Sequence, residues 1–265
     1  MTPTIPCAIA PQVAQARAVL QRHLGESLVA LYLYGSAVDG GLHPYSDIDL
    51  LAITDSVPSA AVRQALMTAL LSVSAPPGAS AMLRALEVTV LAQEHIVPWR
   101  HPARREAQFG EWLREALQAG IVEAPMSDPD LAILLTQARS RSLTILGRDA
   151  AALLAPVPPA DLTTALQQTV AQWRDAADWA GDERNIILAL ARIWYTATQG
   201  GIASKASAAD WLLARIDAPY RAVLAQARAE YLGLAPEELA SQQDAVAAFI
   251  VHARERIQAL GATST

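Results

Sequence analysis

Leu28-Val29-Ala30-Leu31-Tyr32-Leu33-Tyr34-Gly35-Ser36, ten intervening residues, and then Asp47-Ile48-Asp49-Leu50-Leu51-Ala52-Ile53 is the stretch that decides the fold. It reads as an apolar strand, a small-residue turn, a polar loop and a second strand that opens with two acids. Residues i and i+2 of a strand point to the same face. Asp47 and Asp49 therefore present their carboxylates together, with Cα atoms about 6.8 Å apart. Two like charges at that spacing repel unless a cation lies between them. Mg²⁺ suits the place, because it takes oxygen ligands and keeps positions open for substrate phosphates. Leu50 to Ile53 reads as a strand buried on both faces. Such a strand does not usually open with two unpaired acids unless a site lies there. The competing reading is a turn followed by an N-capping Asp47 and a surface Asp49.

Gly35 lets the backbone approach a triphosphate closely. Ser36 can offer its hydroxyl, and its N–H at a helix start, where anions are favoured. The aspartates can hold one or two metal ions, and a pair of ions clamps the attacking and leaving oxygens of an in-line displacement. Downstream, Leu83 to Leu91 reads as another strand with Glu87 in its middle, on the face of Ala85, Thr89 and Leu91. An acid inside such a run is costly to bury unpaired. If this strand lies beside that of Asp47, Glu87 completes a three-carboxylate cluster. It could then bind metal or act as general base toward an attacking hydroxyl. The alternative is an edge strand with Glu87 facing water.

Around these strands the periodicity predicts helices over 11–24 and 59–73, the second ended by Pro76-Pro77-Gly78. Strands are expected over 28–34, 47–53 and 84–91. The stretch 104–119 reads as a short strand and then a helix around Trp112. Asp128 is placed as N-cap and Pro129 as first residue of a helix to Ser140, followed by a short segment, Leu143 to Leu146. Pro156, Pro158 and Pro159 mark a break. Beyond it the pattern is helical throughout: 161–179, 183–199, 206–216, 219–232 and 236–260, a packed bundle. A catalytic α/β or α+β domain thus precedes a helical one, with the active site expected between them.

The chain has 265 residues, enough for about two domains, and 52% of them are hydrophobic, which argues against disorder. No apolar run approaches the roughly 20 residues of a membrane span, and Met1 to Pro11 lacks the features of a signal peptide. Cys7 is the single cysteine, so no internal disulfide is expected, which suits the cytoplasm. His95 and His101 read as solvated rather than as metal ligands, and Arg100 to Arg105 as solvated surface. The net charge of −6 argues against a nucleic-acid partner and for a small cationic substrate drawn to an acidic cleft.

The Gly-Ser, ten-residue, Asp-x-Asp spacing resembles the signature of the polymerase-beta-like nucleotidyltransferases. Almost the full length is similar to the aminoglycoside 3''-nucleotidyltransferases, which adenylylate streptomycin and spectinomycin. The likeness is carried by Leu33-Tyr34-Gly35-Ser36-Ala37, Ser46-Asp47-Ile48-Asp49, Leu86-Glu87-Val88-Thr89 and Gln108-Phe109-Gly110-Glu111-Trp112. It continues through Asp130 to Leu135, Trp179 to Asn185, Arg192-Ile193-Trp194-Tyr195 and Ala208-Ala209-Asp210-Trp211. The resemblance implies an α+β fold: a nucleotidyltransferase domain with a mixed sheet over 1–157, then an α-helical domain over 158–265 completing the ATP and drug sites. It implies ATP as co-substrate, two Mg²⁺ ions, an aminoglycoside acceptor, a monomer and a resistance activity. Asp47 and Asp49 would bind metal, with Glu87 as catalytic base and further metal ligand. Ser36 and Ser46 would contact the phosphates. Asp130, Arg192, Lys205 and Tyr231 would contact ATP, and Trp112, Trp173, Asp178 and Asp182 would line the drug pocket. One departure is Gly200-Gly201-Ile202-Ala203-Ser204-Lys205, where family members often read Gly-Lys-Ile before the lysine.

Plain readings stand beside these. Trp173, Trp179, Trp194 and Trp211 are by default core anchors, while Trp112 and Trp173 suit stacking on a sugar or cation. Asp175, Asp178 and Asp182 share a face if their helix continues, but Gly181 can stop it and leave Asp182 as an N-cap. Arg192 and Lys205 could lie on a solvated face. The alternative function is a nucleotidyltransferase acting on another small molecule, a protein or RNA; a further alternative is a catalytically dead binding module.

Overall fold

The computed structural model describes residues 4–262. The ends of the two expected domains, residues 1–3 and 263–265, lie outside the described residues. The chain forms two compact units, Met1–Val157 and Pro158–Thr265, dividing where the prolines mark a break.

In the first unit, α1 (Ala10–Leu24) precedes β1 (Leu28–Tyr34), a 3-10 turn (Gly35–Ala37), β2 (Ile48–Thr54), α2 (Ala60–Leu70) and β3 (Leu86–Ala92). Then come α3 (Gln93–Ile96), β4 (Ala103–Arg105), β5 (Ala107–Phe109), a 3-10 turn (Glu111–Leu113), α4 (Arg114–Gln118) and β6 (Met126–Asp128). The unit ends with α5 (Leu131–Ser140), β7 (Leu143–Leu146) and α6 (Ala150–Leu153).

The main sheet has the order β5-β3-β2-β1-β7. Only β2 and β3 run parallel, joined by the α2 crossover that such a pair requires; the other neighbours are antiparallel. The sheet is mixed, as expected. Even-numbered residues of β2 and β3 (Ile48, Leu50, Ala52, Leu86, Val88, Val90) pack with residues of α1 and α2. Leu51, Ile53 and Leu91 pack on the other face with residues of α5 and α6. Both faces are covered, so these strands read as apolar runs rather than alternating ones.

Local chemistry accounts for the departures. The stretch 104–119 holds parts of two short strands because its beginning pairs twice: β5 with β3, and β4 with β6. The helix after Asp128 starts later than its sequence suggests. The Asp128 carboxylate accepts from the Asp130 N–H at 3.0 Å, closing a turn before α5 begins. Arg100 to Arg105 is not simply solvated. Glu106, fully buried, forms an ion pair with Arg104 Nε at 3.2 Å and bonds His95 Nδ1 at 2.6 Å, and Arg105 pairs with Glu123 and Asp128.

The second unit holds α7 (Pro159–Val170), α8 (Glu183–Gln199), α9 (Lys205–Leu213), α10 (Ala218–Leu232) and α11 (Gln243–Ala262), with 3-10 turns at Ala176–Asp178 and Leu239–Ser241. Helices α7 and α11 depart most from the spans their periodicity predicts. α7 stops at Val170 instead of running to 179, and α11 starts at Gln243 instead of 236. Buried Glu230 explains the second: its Oε1 accepts from the Glu238 N–H at 2.8 Å, the Leu239 N–H at 3.2 Å and Gln226 Nε2 at 3.0 Å. A carboxylate that satisfies loop N–H groups holds 238–239 out of the helix. No helix among the described residues is long and apolar enough to cross a membrane.

Candidate active site

Register brings the predicted carboxylates to one end of the main sheet. Tyr34 closes β1 opposite Asp49, and Asp49 lies beside Glu87 across the parallel pair. Neighbouring strands are about 4.8 Å apart, and residues in register share a face. Asp49 and Glu87 are each the second residue of their strand, and each is the sole position there that is not fully buried. The acids thus stand where the sheet's cover ends. Asp47, one residue before β2, is also half-buried.

Gly35 is shaped by this arrangement. Its φ is +68°, and a Cβ there would lie 1.8 Å from Asp49 Oδ2. No other residue type lets the turn close onto that carboxylate. Ser36 follows in the same 3-10 turn, half-buried.

The loop before Asp47 is tied down by residues that sequence reasoning missed. The Arg84 Nη1 donates to the carbonyls of His43 at 2.8 Å, Ser46 at 3.0 Å and Pro44 at 3.3 Å. Arg84 is itself fixed by buried Gln12, whose Oε1 accepts the Arg84 N–H at 3.0 Å and whose Nε2 donates to the Arg84 carbonyl at 2.8 Å. Ser46 is buried, with its Oγ accepting from the His43 N–H at 3.0 Å. That side chain closes the turn as well as standing next to Asp47. A lone arginine ahead of a strand and a glutamine on an apolar helix face were the available signals.

Trp112 belongs to the same end. β5 runs antiparallel to β3 with Phe109 opposite Val88, so the chain leaves β5 near Glu87 and turns through Gly110 and Glu111. The indole is 60% exposed and lies over Gly110, where a Cβ would come within 2.3 Å of the ring. Asp130, exposed, sits at the N-cap position of α5.

In the second unit, Lys205 opens α9, with Ser204 as N-cap. Its Nζ donates to Asn185 Oδ1 at 3.3 Å and lies 5.5 Å from the Tyr231 ring centroid. Asn185 Nδ2 donates to Asp182 Oδ1 at 2.7 Å. Asn185 thereby links Asp182 to Lys205, which lies against Tyr231, and Arg192, half-buried, lies two helical turns along α8 from Asn185. Sequence reasoning overlooked Asn185.

Trp173 and Asp178 are placed differently from a helical reading. α7 has ended, and Asp178 closes a capping box: its Oδ2 accepts from the Arg174 N–H at 2.7 Å and the Asp175 N–H at 3.1 Å. The Asp175 carboxylate in turn accepts the Ala177 N–H at 3.0 Å. These backbone bonds, from Arg174 first and then Asp175, hold the Asp178 carboxyl below the usual range. Asp175, Asp178 and Asp182 therefore do not form one helical face. Asp182 occupies the N-cap position of α8 without a capping bond from its side chain. Trp179 is buried and Trp173 half-buried. Trp211 meets Tyr195 edge-on at 5.4 Å, and Trp194 lies 5.8 Å from the His252 ring; both keep packing roles.

The donor chemistry at the sheet end fits Mg²⁺: hard carboxylate oxygens from Asp47 and Asp49, with Asp49 backed by a turn that leaves no room for a Cβ. Among the described residues, no group of three His, Cys, Asp or Glu side chains is already gathered at metal-ligand spacing.

Residues 13–99 match the nucleotidyltransferase domain family, and residues 152–256 match the C-terminal domain of aminoglycoside adenylyltransferases. An aminoglycoside (3'') (9) adenylyltransferase from Escherichia coli is 48% identical over 249 residues, 94% of this chain and 95% of that protein. A spectinomycin 9-adenylyltransferase from Staphylococcus aureus is 36% identical, with 93% and 94% covered. A crystal structure of a spectinomycin adenyltransferase from Enterococcus faecialis, with ATP and spectinomycin, superposes with a TM-score of 0.88 at 28% identity, covering 94% of this chain and 98% of that one. With its carboxylate sheet end, its helical second unit and relatives matching along nearly the whole chain, this protein belongs to the aminoglycoside adenylyltransferases.

Proposed function

We propose that this enzyme transfers AMP from ATP to a hydroxyl of streptomycin and of spectinomycin, releasing pyrophosphate and giving resistance. The observation that carries the reading is the register of Asp49 beside Glu87 at the Gly35 turn, in a chain related along its length to aminoglycoside (3'') (9) and spectinomycin 9-adenylyltransferases.

Asp47 and Asp49 would hold two Mg²⁺ ions, which when bound neutralise phosphate charge and orient the α-phosphate for in-line attack. Ser36 and Ser46 would donate to phosphate oxygens. Glu87 would accept the proton of the drug hydroxyl as its oxygen bonds to the α-phosphorus and pyrophosphate leaves. Arg192 and Lys205 would add positive charge toward the phosphates, with Asp130 and Tyr231 also contacting ATP. The drug, a cation, would meet Trp112, Trp173, Asp178 and Asp182. Aromatic faces and carboxylates suit protonated amines and guanidinium groups. The net charge of −6 favours a small cation over nucleic acid. The enzyme would act as a cytoplasmic monomer.

The test is drug-dependent pyrophosphate release by the purified chain with Mg-ATP, with mass spectrometry of the drug for an AMP adduct. Streptomycin and spectinomycin should both be modified. ATP turnover without either adduct would overturn the reading and favour another acceptor.

A further inference from the structure

A buried polar cluster lies beside the carboxylate end of the sheet and is not used by the reaction. Glu111 Oε2 accepts from Arg114 Nε at 2.5 Å and its Oε1 from Arg114 Nη2 at 2.9 Å, a two-pronged ion pair. Glu111 Oε1 also accepts from the hydroxyl of Ser74. That hydroxyl oxygen accepts the Leu86 N–H at 3.0 Å, and Arg114 Nη2 donates to the Ser74 carbonyl at 2.8 Å. One continuous chain of bonds therefore runs from the backbone just before Glu87 to the residue just before Trp112.

The side chains of Glu111 and Arg114 are only 8% and 21% exposed. Removing a charge pair from water is costly and seldom adds net stability over apolar packing. Yet the turn this pair fixes presents an indole that is 60% exposed. Burial does not hold that ring in place; it lies over Gly110, on the turn that carries the Glu111–Arg114 pair. Burial raises the Glu111 carboxyl, but the bonds from Arg114 and Ser74 and the charge of Arg114 outweigh it. The group lies below the ordinary carboxylate range and is ionised at neutral pH.

We infer that Glu111, with Ser74 and Arg114, is a positioning clasp that sets the Trp112 ring at a fixed place relative to Glu87, and so governs capture of the drug. The inference rests on the reading of Trp112 as a drug contact. Glu111 touches neither drug nor nucleotide; it acts through Trp112. Its loss is expected to raise the drug KM by up to about tenfold, the scale of ordering one side chain at a binding site. The KM for ATP and kcat at saturating drug should stay near wild type.

The experiment combines Glu111→Ala, Glu111→Gln, Trp112→Ala and the Glu111→Ala/Trp112→Ala double variant. Steady-state kinetics is run on each. Fluorine NMR of 5-fluorotryptophan-labelled enzyme is added, with the Trp112 signal identified by its loss in Trp112→Phe. The expected result is a shifted or narrowed Trp112 signal in Glu111→Ala, a raised drug KM, partial rescue in Glu111→Gln and no added effect in the double variant. An unmoved Trp112 signal in a folded Glu111→Ala enzyme overturns the clasp. If Glu111→Ala does not fold, Glu111→Gln carries the same comparison through its smaller shift. A moved signal with no change of drug KM in Trp112→Ala overturns the drug-contact reading and the inference with it, while leaving the positioning itself measured.

Discussion

The carboxylate end of the sheet and the segment 171–182 were both read by counting residues, and the count holds better in the first. At the sheet end, register sets Glu87 beside Asp49, with Asp47 one residue before β2. In the other segment, Asp175, Asp178 and Asp182 fall at helical intervals, but α7 has already ended at Val170. The difference is one of constraint. β2 is flanked by β1 and β3 and covered on both faces, so slipping one residue would carry Ile48 and Leu50 to the opposite face and turn Asp49 into the core beside α1 and α2. A helix end has no such neighbours. Two short acidic side chains offer the backbone N–H groups a better local partner than the next helical turn.

The largest effect expected at the constrained end is that of Glu87→Gln. The amide cannot accept the hydroxyl proton, so kcat should fall by about 10²–10⁴. Asp47 and Asp49 remain, so calorimetric Mg-ATP affinity should change little. Loss of ATP affinity together with activity would assign Glu87 chiefly to metal binding and break the division of labour among the three acids.

Gly35→Ala tests the packing of that end rather than its chemistry. The left-handed φ alone costs about 1–2 kcal/mol for a residue with a Cβ. The methyl group would also displace the Asp49 carboxylate, which a Cβ approaches to 1.8 Å. A lowered Tm and a roughly hundredfold loss of kcat are expected together. Unchanged turnover would mean that Asp49 tolerates a shift, and that the turn serves the fold alone.

The sheet was legible because its signals are redundant: apolar runs, a Gly-Ser turn and acids at strand starts all agree. Arg84 and Gln12 were not, since their partners are backbone carbonyls and N–H groups far away in sequence. No spacing rule encodes a guanidinium reaching back about forty residues to a loop. Asn185 and Glu230 were hidden for a related reason. A polar residue on a predicted helix looks solvated until the partners packed against it are known. Likewise the ion pairs of Arg104 and Arg105 depend on β4, β5 and β6, elements too short to carry a period.

A smaller effect is expected inside the sheet. Tyr32 is buried and its hydroxyl donates to the Arg148 carbonyl at 2.6 Å. Burial above all, and then the charge of Asp149, push its pKa up to about 12. Below pH 10 the phenol is neutral in both folded and unfolded chains, so its contribution is intact. Between pH 10 and 12 the unfolded chain ionises while the folded one does not, and stability on the order of 2–3 kcal/mol is lost. Urea midpoints measured from pH 8 to 12 should fall across that window in wild type and much less in Tyr32→Phe. Parallel curves would show that the alkaline loss comes from elsewhere.

The smallest and most discriminating comparison returns to the unconstrained segment. Asp178 can serve a drug guanidinium directly, or serve only by closing its turn. Both of its backbone bonds land on Oδ2, so the two roles are compatible, and Asp175 separates them. Asp175 shares the capping box but is not placed in the drug pocket. Asp175→Ala removes one N-terminal cap, a loss of about 1 kcal/mol, and loosens the turn without removing the Asp178 charge. With direct pairing, Asp178→Ala should lower kcat/KM for streptomycin, which carries two guanidinium groups, far more than for spectinomycin, and Asp175→Ala should lower both slightly and equally. Asp178→Asn should behave like Asp178→Ala toward streptomycin, since an amide pairs poorly with a guanidinium. Acid titration adds an independent reading. The folded carboxyl is depressed, so its hold on the turn is complete above the ordinary aspartate pKa of about 3.9 and is lost as pH falls through the lower folded value. If Asp175→Ala reproduces the streptomycin-selective loss, the turn itself rather than the Asp178 charge is what the drug senses, and the segment that broke the helical count would be a shape determinant of the site.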